Sequence, residues 1–272
     1  MNYQNTEHTF VVCAYQESPY LEACIRSTMG QTVRSKVMIV TSTPSRYIQK
    51  IADRYHISVV VNNRKHGLAE DWNFAIETAD TPLVTVAHQD DIYGRHYVEA
   101  ILRTATMCSY PLILFTDYYE LREGKVVRKN RLLKVKRFML SPLRLRLLWK
   151  SIWIRRRILS MGSAICCPSV TIVKNHLRLP IFENNMKSNI DWQAWEVISR
   201  EKGEFAYISR PLILHRIHGE STTSQLLKKD QRKAEDLYMY RKFWPEWMAR
   251  LIEYFYQYAE RSNNANQGAM KK

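Results

Sequence analysis

Across the first 120 residues, short apolar runs alternate with stretches whose apolar residues recur at helical spacing, and few folds accept that order. Phe10-Val-Val-Cys-Ala14 reads as a first strand. Ser18-Pro19 supplies an N-cap and a first helical residue, with Leu21, Ile25 and Met29 on one face and Gly30 as the stop. Val37–Val40 is a second strand, Thr43-Pro44 opens a helix through Ile48, Ile51 and Tyr55, and Val59–Val61 is a third strand. After Gly67 comes a helix carrying Trp72, Ala75, Ile76 and Ala79. Leu83–Ala87, a fourth strand, runs straight into His88-Gln-Asp-Asp91, and a helix near Tyr97–Met107 leads to Leu112–Phe115. This βαβα order predicts an α/β fold with a Rossmann-like, mostly parallel sheet and helices on both faces. Ligands in such sheets sit at the carboxyl ends of the strands, where Asp90 and Asp91 fall.

Beyond Phe115 the pattern loosens. Glu123-Gly124 reads as a hairpin turn between Tyr118–Arg122 and Lys125–Arg128. Ser169–Val173 is extended, a helix starts near Asp191 with Trp192, Trp195 and Ile198, and Phe205–His218 is extended again. Gln231–Arg261 reads as two helices interrupted at Pro245, forming a C-terminal helical tail with a stripe of Met248, Leu251, Ile252, Phe255 and Tyr258. The last ten residues are expected to fray. No internal repeat and no linker marks a second independent domain.

The five cysteines, Cys13, Cys24, Cys108, Cys166 and Cys167, contain no C-x-x-C pair and suit free thiols in a reducing compartment. Met1–His8 is polar, without the apolar centre of a signal peptide, and no uncharged apolar run approaches the roughly 18 residues that span a bilayer. The expected location is cytoplasmic, either free or peripheral at the inner face of the cell membrane. The net charge of +15 is concentrated: thirteen Lys or Arg and no acidic residue lie between Lys125 and Arg157. Such a block commonly meets phosphates of lipid, nucleic acid or a pyrophosphate-bearing substrate.

Four groups of residues carry possible chemistry. Asp90-Asp91 suits a hard divalent cation, which takes a few carboxylate oxygens and completes its shell with substrate phosphates; a bare Asp-Asp also serves as a solvated turn or cap. Asn62-Asn63-Arg64-Lys65-His66-Gly67 offers a glycine that lets backbone approach a ligand and two cations for phosphate, or is a plain turn. Asp191 is either a general base or the N-cap of its helix. In His215-Arg216-Ile217-His218, strand alternation puts Arg216 and His218 on one side, either to address a pyrophosphate and its metal or as surface residues.

Taken in order, these features resemble the family-2 inverting glycosyltransferases of the GT-A fold, over about residues 8 to 225. The family's Pro-x-Tyr-Asn-Glu-like turn matches Cys13-Ala-Tyr-Gln-Glu-Ser18, and its Gln-Thr after the first helix matches Gln31-Thr32. Its Asn-x-Gly loop and following helical Asn match Asn63 through Gly67 to Asn73. The Asp-x-Asp-Asp metal motif aligns with His88-Gln89-Asp90-Asp91, the acidic residue at a helix start with Asp191, and Arg-x-His before Ser or Thr with Arg216-Ile217-His218 and Ser221-Thr222. Two departures stand out. The Asp-Asp-Gly-Ser that ends the family's second strand is Val40-Thr-Ser-Thr-Pro44 here, which leaves nucleotide recognition to hydroxyls or backbone groups. The first Asp of the metal motif is His88, so ligation rests on Asp90 or Asp91.

The resemblance implies a nucleotide-sugar, most simply a UDP-sugar, at Ala14, Tyr15, Glu17, Ser42, Asn63, Gly67, Asn73, Asp90 and Arg216. It implies Mn²⁺ or Mg²⁺ at Asp90, Asp91 and His218, and Asp191 as the base of a single inverting displacement. A GT-A domain over residues 1–225 is expected, with the donor part to about 120, the acceptor and catalytic part over 121–225 including the basic insertion 125–157, and a helical extension over 226–272. The acceptor is a glycan or a lipid-pyrophosphate-linked glycan, as in polysaccharide and cell-envelope synthesis. The basic segment either attaches to an anionic membrane surface, each cation there being worth on the order of 1 kcal/mol, or forms an acceptor-site insertion with solvated cations. Two rival classes are a sugar-phosphate nucleotidyltransferase, which would want a glycine-rich basic loop after the first strand, and a non-catalytic membrane- or nucleic-acid-binding module. No nucleic-acid-binding signature is present, and no nucleic-acid partner is expected.

Overall fold

Strand β1 (His8–Ala14) is apolar without alternation because both of its faces are covered: Phe10, Val11 and Val12 are all fully buried. In the computed structural model, which describes residues 7–64, 67–218 and 229–254, β1 lies at the centre of a parallel set. It pairs with β2 (Lys36–Thr41) and β4 (Leu83–His88), and β2 pairs with β3 (Ser58–Val61), all parallel. Lys65, His66, Ser221, Thr222, Phe255 and Tyr258, singled out above, lie outside the described residues.

The connecting helices are α1 (Leu21–Met29), α2 (Arg46–Tyr55) and α3 (Leu68–Thr78). Two of them start later than the sequence suggests. The Ser18 hydroxyl accepts from Tyr20 N at 3.3 Å, making a turn that delays α1 to Leu21. Ser45, and not Thr43, caps α2 by accepting from Ile48 N at 3.2 Å.

The second half completes the sheet in the order β3-β2-β1-β4-β8-β6-β9-β5. After β5 (Ile92–Tyr93) and α4 (Tyr97–Met107), the long β6 (Pro111–Arg122) runs parallel to β9 (Glu204–Ile217). β8 (Val170–Val173) enters between β4 and β6, antiparallel to both. β7 (Lys125–Val127) folds back on β6 through Glu123 and Gly124, whose φ values of 48° and 76° are those of a tight hairpin. The expected mostly parallel α/β sheet is present, with its longest ladders parallel. Among the described residues no helix is long and apolar enough to cross a membrane.

The basic segment, read above as membrane-facing or solvated, divides into parts. Its first helix, α5 (Arg131–Met139), is pinned by Arg137, which donates to Asp117 Oδ2 at 2.7 Å and to the carbonyls of Arg128 and Tyr118 at 2.9 Å each. Asp117 itself sits at a register shift between β6 and β9. The second helix, α6 (Ile152–Leu159), carries the fully buried Arg155, which donates to the carbonyls of Ser199, Glu201 and Gly203. That cation ties down the turn that follows α7 (Ile190–Ile198), whose own last carbonyls are already met by the backbone nitrogens of Ser199, Arg200 and Glu201. Arg156 pairs with the buried Glu196 at 2.8 Å. Several of the thirteen cations are therefore structural, a third use that neither earlier reading contained.

The C-terminal helix α8 (Lys229–Arg241) holds the other end of α7. Glu235 accepts from the backbone nitrogens of Lys187, Ser188 and Asn189 at 2.9, 2.8 and 3.3 Å, and Asp236 accepts from Asn189 Nδ2 at 2.7 Å. Tyr240 packs edge-on to Trp192. Glu235→Ala is expected to lower the unfolding free energy by about 1–3 kcal/mol, the cost of stranding buried donors. A shift of the urea midpoint at constant slope checks it; an unchanged midpoint would show that water replaces the carboxylate.

Candidate active site

Four residues after β4 leaves the sheet the chain returns as β5, which pairs antiparallel with β9 in the register Ile92↔Leu214 and Tyr93↔Ile213. This pairing sets the acidic pair against residues more than 120 positions away. Asp91, with no exposed side-chain surface, accepts from Arg216 N at 2.8 Å and pairs with His215 Nδ1 at 3.0 Å. Burial draws the His215 imidazole down, but the adjacent Asp91 carboxylate outweighs it and holds His215 above its usual range. Asp90 is 21% exposed and meets the opposite side of the strand. Its Oδ2 lies 3.0 Å from His218 Nε2, and its carbonyl accepts from Arg216 Nε at 2.8 Å. The Arg216 guanidinium lies over the Tyr20 ring at 4.1 Å, and His218 packs on the same ring. The alternation expected for this segment thus sends Arg216 and His218 to Asp90 and His215 to Asp91.

His88 joins them. One ligand atom each from His88, Asp90 and Asp91 fall within 4.8 Å of one another. The His88 ring stacks on Trp72 at 5.0 Å, and its Nε2 is buried without a hydrogen-bond partner among the described residues. Burial lowers its pKa against the opposing charges of Asp91 and Asp90, which favours the neutral ring and its lone pair. A buried imidazole nitrogen with no donor to meet, beside two carboxylates, fits a divalent cation. The sequence comparison had counted His88 as a lost ligand; the available signal was that histidine is itself a metal ligand.

Of the donor residues expected at the strand ends, Tyr15 is tied to the loop that carries this cluster. Ala14 closes β1, and the Gln89 side chain clamps the backbone of the exposed Tyr15, accepting from its nitrogen at 3.0 Å and donating to its oxygen at 2.9 Å. Glu17 and Asn63 are exposed. Ser42 donates to Asp71 Oδ2 at 2.8 Å, and Asn62 to Asp71 Oδ1 at 2.8 Å. Asp71 therefore places a carboxylate beside the end of β2, where the sequence motif lacked one. It escaped notice because it belongs to α3. Gly67 has φ 152°, and a Cβ there would collide with the Glu70 carboxylate. Arg64, a candidate for phosphate, is paired with Glu77 at 2.6 Å. Asn73, expected at the donor, commits its amide to the backbone across the cleft: it donates to Phe182 O at 2.7 Å and accepts from Ile181 N and Phe182 N at 3.0 and 2.9 Å.

Asp191 occupies the first turn of α7; the cap position belongs to Asn189, so the capping reading does not hold. Its Oδ1 accepts from Trp192 N at 2.8 Å. Burial raises its pKa, and that bond together with the charges of Lys136 and His215 only partly offsets the rise. Lys136 comes from α5, 5.7 Å from the Tyr118 ring, which in turn packs edge-on to His215. Burial, and with it the charges of Asp91 and Asp191, pushes the Cys166 thiol well up, so both carboxylates act on one buried group.

Against known proteins, a family model described as "Glycosyl transferase family 2" matches residues 9–158. No curated protein sequence matches the chain. Among solved structures, S. aureus TarS 1-349 in complex with UDP-GlcNAc is 14% identical, with a TM-score of 0.60 over 91% of this chain and 70% of that one. Against the full TarS structure the chain covers 42% of the neighbour's length, with 12% identity and a TM-score of 0.57 over 90% of this chain. The mannosyltransferase PcManGT from Pyrobaculum calidifontis, in complex with GDP-Man and Mn²⁺, is 14% identical, with a TM-score of 0.53 over 85% of this chain and 60% of that one. At these identities the structural likeness shows the fold, which is GT-A.

Proposed function

The chain belongs to glycosyl transferase family 2, and from that premise we propose that it transfers a sugar from a nucleotide-diphosphate donor, with inversion, to a glycan or lipid-pyrophosphate-linked acceptor. Family membership makes it a glycosyltransferase and removes the nucleotidyltransferase and non-catalytic classes. The observation that carries the finer reading is the convergence of His88, Asp90 and Asp91 at the carboxyl edge of the sheet, with Arg216 and His218 bonded to Asp90. The bound UDP-GlcNAc of one structural neighbour and the GDP-Man and Mn²⁺ of another support a nucleotide-sugar and a divalent ion. UDP-sugars are the first choice of donor. An imidazole in the ligand set favours Mn²⁺ over Mg²⁺, which prefers oxygen alone.

His88 and Asp90 would hold the cation, with Asp91 fixing their geometry from its buried position. When bound, it supplies positive charge to the diphosphate. Arg216, oriented by the Asp90 carbonyl and the Tyr20 ring, and His218 stabilise the leaving nucleoside diphosphate. That group is a strong acid and needs charge neutralisation rather than a proton. On the other side Asp191 accepts the proton of the acceptor hydroxyl, whose oxygen bonds the anomeric carbon as the bond to the diphosphate breaks. Ser42 and Asp71 serve the nucleotide, Ala14, Tyr15, Glu17, Asn63 and Gly67 line its path, and Asn73 positions the 181–182 segment opposite. The exposed cations of 125–157 face an anionic membrane surface that carries the acceptor.

Incubation with a panel of nucleotide-sugars and Mn²⁺ is expected to release nucleoside diphosphate from one of them. Chelation should abolish both the release and the nucleotide's thermal stabilisation, which follows RT ln(1 + [L]/Kd). Release that persists undiminished in chelator would remove the cation from the reading.

A further inference from the structure

Helix α5 has two unlike faces. Inward, Leu133 is buried, Lys136 reaches the Tyr118 ring and Arg137 is bonded to Asp117. Outward, Leu132, Val135 and Phe138 recur at three-residue spacing and are all exposed, Phe138 by 80%. Arg131 and Lys134 flank them and are exposed as well. The turns that follow continue the theme: Leu145 is 58% and Leu147 76% exposed, alternating with Arg144 and Arg146. Trp153 at the start of α6 is 66% exposed, with the Arg157 guanidinium over its ring at 5.6 Å.

Isolated exposed apolar residues are ordinary, but a run of large ones interleaved with cations in one acid-free segment is not. Water gives such side chains no reason to stay uncovered. A protein partner of matching acidity would cover the charges, yet protruding Phe and Leu tips with flanking Lys and Arg are the arrangement of an interfacial segment, apolar tips below the headgroups and cations level with their phosphates. We propose that Leu132, Val135, Phe138, Leu145, Leu147 and Trp153 form a membrane-inserting face that seats this enzyme in the outer few ångströms of an anionic leaflet. Attachment is therefore apolar as well as electrostatic. Because α5 also delivers Lys136 to the neighbourhood of Asp191, seating this face brings the acceptor side of the cleft to the lipid surface. The insertion does not depend on the identity of the donor, so its failure and that of the transferase reading are separable.

The test is cosedimentation of the full chain with vesicles of phosphatidylcholine alone or with about 30% phosphatidylglycerol, each at low salt and at about 0.5 M salt, where screening shortens to a few ångströms. Wild type is expected on the anionic vesicles, with a residue of binding that survives salt. Phe138→Ser with Leu147→Ser, both on solvent-exposed tips, should reduce partition at least about tenfold. Melting temperature and nucleoside diphosphate release in solution should stay at wild-type values. Quenching of tryptophan emission by brominated lipid should disappear in Trp153→Phe. The proposal is overturned if the double variant partitions as wild type, if wild type ignores anionic vesicles, or if sedimentation shows the two serines only dissolving a dimer, which would make the face a subunit interface.

Discussion

Asp191→Asn is expected to lower sugar transfer by roughly 10²–10⁴-fold, the usual worth of a positioned base, while donor affinity stays at the wild-type level. The amide keeps the shape of the carboxyl and its bond to Trp192 N, which an Asn oxygen accepts equally well. Only the proton-accepting charge is lost. Stability gives a second readout with a definite sign. Burial raises the folded-state pKa of Asp191 above that of an unfolded carboxyl. Below the unfolded value both states are protonated and the group is neutral to folding. As pH rises from the unfolded value through the folded one, the charge that burial disfavours becomes a destabilising contribution, complete above the folded value. Asp191→Asn should therefore melt no lower than wild type at pH 7, and the difference should vanish in acid. In wild type the same raised pKa should make transfer fall, as pH is lowered, sooner than an ordinary carboxylate would allow. Equal transfer rates for the purified variant and wild type would take the base away from this residue.

Substitutions at the acidic pair should separate. Asp91→Ala leaves Arg216 N without its acceptor and the raised His215 without its counter-charge, in a place with no exposed surface. Breaking such a buried pair costs about 3 kcal/mol or more, which in a chain of this size lowers the melting temperature by roughly 6–12 °C. Asp90→Ala, at a partly exposed side chain that among the described residues is bonded to His218, should lose little stability. It should instead abolish the Mn²⁺-dependent shift produced by the nucleotide. Differential scanning of both proteins, with and without Mn²⁺ and nucleoside diphosphate, distinguishes them. The division of roles fails if Asp90→Ala retains the full ligand shift, or if Asp91→Ala melts with wild type. His88→Ala should share the lost ligand shift of Asp90→Ala, and because it also removes the ring stacked on Trp72 it should cost more stability.

The local signals in this chain were of one kind: which side of a segment is apolar, and where the segment ends. Those are set by neighbours within a turn or a pleat, so β1 to β4, the three helices between them and the β6–β7 hairpin were legible from periodicity and turn residues. The position of Asp90 and Asp91 at a strand end followed, as did the sides taken by His215, Arg216 and His218. Partners across the chain are another matter. Nothing in Val170–Val173 says that it enters antiparallel between β4 and β6, since an apolar run pairs as well with either edge. The β5–β9 register decided that Asp91 is a buried support and Asp90 an open ligand, a distinction absent from two identical adjacent letters. The Trp72 stack turned His88 from a missing ligand into an unpartnered one. In the basic segment, charge alone could not sort Arg155, sealed against the end of α7, from Lys134, open to solvent. Charge is a property of the residue, whereas desolvation and pairing are properties of what the fold packs around it.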